Sequence, residues 1–161
     1  MQNKQLILQY EEYASTGELP AADALLLAKA REATAHAYAP YSRFRVGAAA
    51  RLNSGQIITG TNQENASFPA GICAERVLLS TAASLFPGVP IESIAISYVN
   101  ERGPADRPIS PCGLCRQSLL EFETRTQRPI RLILGGQTGH VYVIPDTGSL
   151  LPLAFVADDL V

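Results

Sequence analysis

Cysteine is scarce in this chain of 161 residues: there are three. An odd and small number excludes a disulfide framework as the basis of the fold. No apolar run approaches the roughly 18 residues that cross a bilayer, so no membrane-spanning helix is expected. The opening residues, Met1-Gln2-Asn3-Lys4-Gln5-Leu6, lack the basic region, long apolar stretch and small-residue cleavage site of a secretion signal, and a cytoplasmic location is expected. Basic residues form no block. Arg43, Arg45 and Arg51 are the densest stretch, and the formal net charge is -2. Binding to nucleic acid leaves a basic footprint, so no nucleic-acid partner is expected and a small neutral substrate fits better. Repeats, low-complexity tracts and linkers are also missing, which leaves a single domain over residues 1–161.

What is present is a regular alternation of short apolar segments. Leu6, Leu8 and Tyr10 alternate with polar residues and predict a strand or extended arm over 5–14. Pro20 opens an alanine- and leucine-rich stretch, in which Leu26, Ala30, Ala33 and Ala37 recur at helical spacing up to Ala39. Arg45–Leu52 and Gln56–Thr61 read as a hairpin around Asn53-Ser54-Gly55. A loop over 63–72 leads into a helix, Cys73–Leu85, closed by Pro87-Gly88. Ile91–Val99 is a strand, residues 100–111 a surface loop and Gly113–Thr124 a helix. Ile130–Leu134 and Val141–Ile144 are strands, and Ser149–Phe155 a last helical turn. Strands interleaved with helices in this order indicate an α/β layered domain with a mixed sheet.

The chemistry concentrates on the cysteines. Cys112 and Cys115, three apart at a helix start, lie on one side of its first turn and can grip one ion. Cys73 also stands at a helix start, where unpaired backbone N–H groups favour the thiolate that metals need. Three protein ligands with an open fourth position is the pattern of catalytic rather than structural zinc. His36, inside the first helix, and His140, in a turn between strands, are placed by no motif and are read as structural or surface residues. On these residues alone a redox pair at Cys112 and Cys115, or a buried apolar role for Cys73, stays open.

The wider pattern resembles the cytidine deaminases. Cys73-Ala74-Glu75-Arg76 is followed by Pro111-Cys112-Gly113-Leu114-Cys115-Arg116-Gln117, the form in which zinc deaminases carry their ligands and acid–base glutamate. Three further segments are similar in the same order: Pro40-Tyr41-Ser42-Arg43-Phe44-Arg45-Val46-Gly47-Ala48-Ala49, Gly60-Thr61-Asn62-Gln63-Glu64-Asn65-Ala66-Ser67, and Leu150-Leu151-Pro152-Leu153-Ala154-Phe155. The similarity spans about residues 22–160, leaving residues 1–20 as an extension, and residues 100–111 form a longer loop than the short members carry.

The resemblance implies a three-layer α/β/α fold with a mixed five-stranded sheet, and hydrolysis of cytidine and deoxycytidine to uridine and deoxyuridine with release of ammonia. It implies zinc on Cys73, Cys112 and Cys115, water in the fourth position, and Glu75 moving the protons. Arg76 is expected to donate to a ligand sulfur, offsetting the negative charge of three thiolates. Ala74 offers its N–H to the pyrimidine carbonyl, Phe44 packs on the base, and Asn62 and Glu64 bind the ribose 3′-hydroxyl. A cysteine in the first ligand position resembles the homotetrameric branch, in which Phe155 reaches a neighbouring pocket. Members acting on deoxycytidylate or transfer RNA begin the motif with histidine. The alternatives are a deaminase of a related cytosine nucleoside such as blasticidin S, a non-catalytic structural zinc protein and a CxxC redox protein.

Overall fold

The computed structural model describes residues 1–160. Six strands form one sheet: β1 (Glu11–Tyr13), β2 (Phe44–Leu52), β3 (Ile57–Thr61), β4 (Ile91–Asn100), β5 (Arg131–Gly135) and β6 (Val141–Ile144). Their order is β1-β6-β5-β4-β2-β3, with β4 and β5 parallel and every other pair antiparallel. The helices are α1 (Ala21–Ala33), α2 (Ala74–Leu85) and α3 (Gly113–Thr126).

Period-two alternation sorts the strand side chains onto two faces. Ala48 and Ala50 of β2, Ile94 and Ile96 of β4, and Leu132 and Leu134 of β5 point to one face, where they meet Leu78 and Leu79 of α2 and Leu119 and Phe122 of α3. The intervening Ala49, Ala95 and Ile133 point to the other face and pack on Leu26, Leu27 and Ala30 of α1. Because both faces are covered, the central strands read as nearly continuous apolar runs, and the fold has three layers.

The sheet has one strand more than the five expected. The extra strand is β1, which lies at the C-terminal end of the strand or extended arm expected over 5–14. Leu6, Leu8 and Tyr10 have no covered face to fill and remain exposed, with Tyr10 tilted against Tyr142 at 4.8 Å between ring centroids. Pairing begins where Glu11, Glu12 and Tyr13 meet Val143, Tyr142 and Val141 along the open edge of β6. Arg131 on β5 lies 3.9 Å from Glu11, and His140 lies 3.1 Å from Glu12.

Two other boundaries differ from expectation. α1 stops at Ala33 and tightens into a 3₁₀ turn, Thr34–His36, instead of running to Ala39. Thr34 hydroxyl donates to Arg31 O at 2.7 Å, a local bond that competes with the helical ladder. A 3₁₀ turn at Ala157–Leu160 ends the described chain, and the turn expected at Ser149–Phe155 is a 3₁₀ helix at Gly148–Leu150. Glu123 of α3 anchors it: the buried carboxylate accepts the amides of Ile130 (2.6 Å), Thr147 (2.9 Å) and Gly148 (3.1 Å).

Topology now fixes where a site forms. β3 and β4 are each antiparallel to β2, so they point the same way. α2 follows β3 and α3 follows β4, and both helices cover the same face. Their N-termini therefore open at one end of the sheet.

Candidate metal centre and active site

Cys73 is the residue before α2 and Cys112 the residue before α3, each with extended backbone angles, while Cys115 lies in the first turn of α3. The Sγ atoms of Cys73 and Cys112 are 3.8 Å apart, and those of Cys112 and Cys115 are 3.3 Å apart. All three lie within 4.8 Å of one another, and no disulfide joins them. A tetrahedral zinc with Zn–S bonds of about 2.3 Å spaces its sulfurs about 3.8 Å apart, so this trio fits the ion. Three soft sulfur donors also suit zinc over the oxygen-seeking cations. Among the described residues the cluster contains no histidine and no carboxylate. His36 sits in the 3₁₀ turn after α1, and His140 faces Glu12, so neither closes the shell.

The thiols share protons. Cys73 is lowered to about 6, first by its hydrogen bond with Cys115, then by Cys112 and by the positive charge of Arg76. Cys115 holds the proton and is pushed up, chiefly by that same bond and by burial. An ion that binds here must displace the protons that remain.

Glu75 is the second residue of α2 and only 5% exposed. Burial pushes its carboxyl up, opposed by its own backbone N–H, and the charge on Cys73 adds to the rise. A carboxyl held above its ordinary range, beside a metal cluster but outside it, is equipped to carry a proton. Ala74, fully buried, begins the helix, where N–H groups have no partner within the helix.

Arg76 differs from expectation. Among the described residues it makes no hydrogen bond to a sulfur. Its side chain lines a groove between α2 and α3 with Ser80, Ser118, Glu121 and Arg125, and it acts on Cys73 through charge.

The position of this helix start depends on Gly60 in β3. A Cβ at Gly60 would stand 2.5 Å from both Ala74 O and Leu78 N. Only a bare α-carbon lets the first turn of α2 lie directly on the strand. Gly60→Ala is therefore expected to push the Cys73-Ala74-Glu75 turn outward. We expect a turnover number lower by about 10²-fold and a destabilisation of about 1–3 kcal/mol, read by steady-state kinetics and a urea titration.

Backbone bridges join the Cys73 turn to the Asn62–Glu64 segment. Gln63 N donates to Ile72 O at 2.9 Å and Ile72 N to Gln63 O at 3.0 Å, which brings residues 62–64 beside Cys73. Tyr38 N donates to Asn62 O and Glu64 N to Tyr38 O, adding a third segment. Asn62 is fixed by β2: its Oδ1 accepts Val46 N at 2.7 Å and its Nδ2 donates to Phe44 O at 2.9 Å. One donor hydrogen and one acceptor lone pair are left over. Glu64 accepts the amides of Tyr41 (2.8 Å) and Ser42 (3.2 Å). The Ser42 side chain, with those amides, holds its carboxyl below the usual range.

Glu64 faces a cavity of about 410 Å³ that it lines with Tyr41, Ser42, Asn65, Phe68 and Gly71. That size is ordinary for a small-molecule site. Tyr41 and Phe68 meet edge-on across it, with centroids 6.0 Å apart. Phe68 carries no motif signal of its own and was missed by sequence reasoning. Phe44 stacks on the buried Tyr98 at 4.8 Å and an interplanar angle of 16°. Phe155 stands apart from these groups: it is 59% exposed, on the segment between the 3₁₀ turns Gly148–Leu150 and Ala157–Leu160, and its carbonyl accepts Gln117 Nε2 at 2.9 Å.

Comparison with known proteins gives concordant results. The profile of the cytidine and deoxycytidylate deaminase zinc-binding region matches residues 20–128. The cytidine deaminase of Halalkalibacterium halodurans is 38% identical over 136 residues, which cover 84% of this chain and 96% of that one. The Mycobacterium tuberculosis cytidine deaminase is 37% identical over 139 residues, covering 84% and 91%. Among solved structures, the cytidine deaminase of Burkholderia pseudomallei superposes with a TM-score of 0.70 at 38% identity, covering 81% of this chain and 97% of that one.

Proposed function

We infer the reaction from one premise: the chain belongs to the family of zinc-binding cytidine and deoxycytidylate deaminases. It is a zinc-dependent hydrolase that converts cytidine and water to uridine and ammonia, and deoxycytidine to deoxyuridine in the same way. The observation that carries this reading is a cluster of three sulfurs with no fourth protein ligand among the described residues, next to a buried glutamate. A closed structural zinc site lacks its fourth donor, and a CxxC redox pair leaves both Cys73 and Glu75 without a purpose. The relatives named above are cytidine deaminases, which disfavours the blasticidin S reading.

Cys73, Cys112 and Cys115 would hold the zinc ion. When bound, zinc supplies a Lewis acid that makes water nucleophilic at neutral pH. Glu75 takes a proton from the attacking water and delivers it to ring N3. It then takes the second proton from the hydroxyl now on C4 and passes it to the departing amine nitrogen, which leaves as ammonia while C4 becomes a carbonyl. The Ala74 N–H holds the pyrimidine carbonyl. Phe44, stiffened by its stack on Tyr98, packs on the base. Asn62 and Glu64, pre-oriented by their backbone partners, receive the ribose 3′-hydroxyl. A carboxylate at the sugar end also disfavours a 5′-phosphate.

The same reading makes the protein a homotetramer in which Phe155 enters a neighbouring subunit's pocket. Support comes from the exposure of Leu153 and Phe155 on one short segment. Residues 1–161 act as one domain with residues 1–20 as an extension, nearly all of it before the family match that starts at residue 20. No helix among the described residues is long and apolar enough to cross a membrane.

An ultraviolet assay of cytidine conversion by the zinc-loaded chain tests the function; no loss of the cytidine band would overturn it. Arg76 gives a finer test. Its charge helps keep Cys73 ionised, and its removal leaves the thiolates more basic. Arg76→Ala is expected to retain zinc at neutral pH while its pH–rate profile moves upward by about half a pH unit. An unchanged profile would remove Arg76 from the mechanism.

A further inference from the structure

Arg116 and Gln117 directly follow Cys115 on α3, and neither has a task in the deamination described above. Arg116 Nε donates to Pro111 O at 2.9 Å, and its Nη1 donates to Leu150 O at 3.1 Å. One guanidinium thus ties the peptide that leads into Cys112 to the start of the C-terminal segment. Gln117 Nε2 donates to Phe155 O at 2.9 Å and fixes the far end of that segment.

Between these two points the chain has little else to hold it. Leu150 is buried, but Leu153 is 95% exposed and adopts a φ of 56°, a left-handed conformation that a leucine rarely takes. A stretch with few buried apolar contacts opens at low free energy unless polar contacts hold it. The contacts that hold it come from the turn that carries two of the three sulfurs.

The geometry points to Arg116 and Gln117 as positioning residues that make the placement of Leu150–Phe155 depend on metal at the Cys112–Cys115 turn. This rests on the zinc reading of that turn but does not require Phe155 to touch a substrate. Metal clamps the turn, the clamped turn fixes the two donors, and the donors fix the segment. Loss of metal loosens all three together.

Hydrogen exchange read by mass spectrometry on the full-length chain, zinc-loaded and chelator-treated, tests the link. In the wild type, protection of residues 151–156 is expected to fall by about 10-fold on chelation. Gln117→Met keeps the length of the side chain and removes the donor. It should retain zinc, show low protection of the segment with zinc present, and raise the KM for cytidine about 5- to 10-fold with kcat nearly constant, the size of one neutral hydrogen bond. Gln117→Lys, which restores a donor, should recover most of the protection. Equal protection with and without zinc in the wild type would overturn the proposal. So would wild-type protection in Gln117→Met, or a Gln117→Lys chain as loose as the methionine variant. A changed exchange pattern with an unchanged KM would retain the link and instead remove Phe155 from the substrate pocket.

Discussion

Replacing Glu75 with alanine is expected to lower cytidine turnover by about 10²–10⁴-fold or more while zinc stays bound. The carboxylate lies outside the sulfur cluster, so its removal takes no donor from the metal. What is lost is the group proposed to carry protons between water, ring N3 and the amine. Glu75→Gln is the sharper control, because it preserves size and one acceptor but cannot take up a proton. The same substitutions have a second consequence of opposite sign for the fold. Burial raises the Glu75 carboxyl in the folded chain above its unfolded value. The folded state therefore binds more protons, and stability declines as pH rises through that window. Removing the charge abolishes this cost, so Glu75→Gln should melt at a higher temperature than the wild type at neutral pH. A variant with full activity, or one that loses its zinc, would refute the assignment.

Cys115→Ser is expected to drop the zinc content below about one tenth per chain and to leave no measurable activity, because a serine hydroxyl does not ionise in the range where a thiol does. Cys115 is the buried sulfur of the trio, whereas Cys112 is exposed. A shorter, more polar hydroxyl in this buried position also packs less well than the sulfur, which costs about 1 kcal/mol. Serine at Cys112 should release zinc with less damage to the fold. Metal analysis with parallel urea titrations separates the two effects. Retention of a full zinc equivalent by Cys115→Ser would exclude it as a ligand.

The extent to which the site was legible in the sequence follows from the physics of each part. Cys73 and Cys112 were readable as helix starts because a loop rich in proline and glycine or polar residues ends at each, and helical spacing begins after it. Strands β2 to β6 were readable because a sheet covered on both faces leaves short apolar runs bounded by turns. β1 was legible as part of the extended stretch over 5–14, but its short extent was not, since Glu11–Tyr13 pairs only where β6 offers an edge. The end of α1 was missed because the Thr34 side chain overrides an alanine-rich tail. The close approach at Gly60 and the meeting of Tyr41 with Phe68 depend on segments distant in the chain. For Arg76 the resemblance implied a bond to a ligand sulfur, whereas Arg76 lines the groove between α2 and α3.

The short strand at the rim of the sheet has a consequence for solubility. Without it, Val141, Tyr142 and Val143 would present bare amides and carbonyls flanked by apolar side chains, a template for adding another chain. Glu11 and Glu12 close that template with like charges, which repel a second copy approaching the same rim. The extension thus replaces a bare apolar rim with a short acidic one.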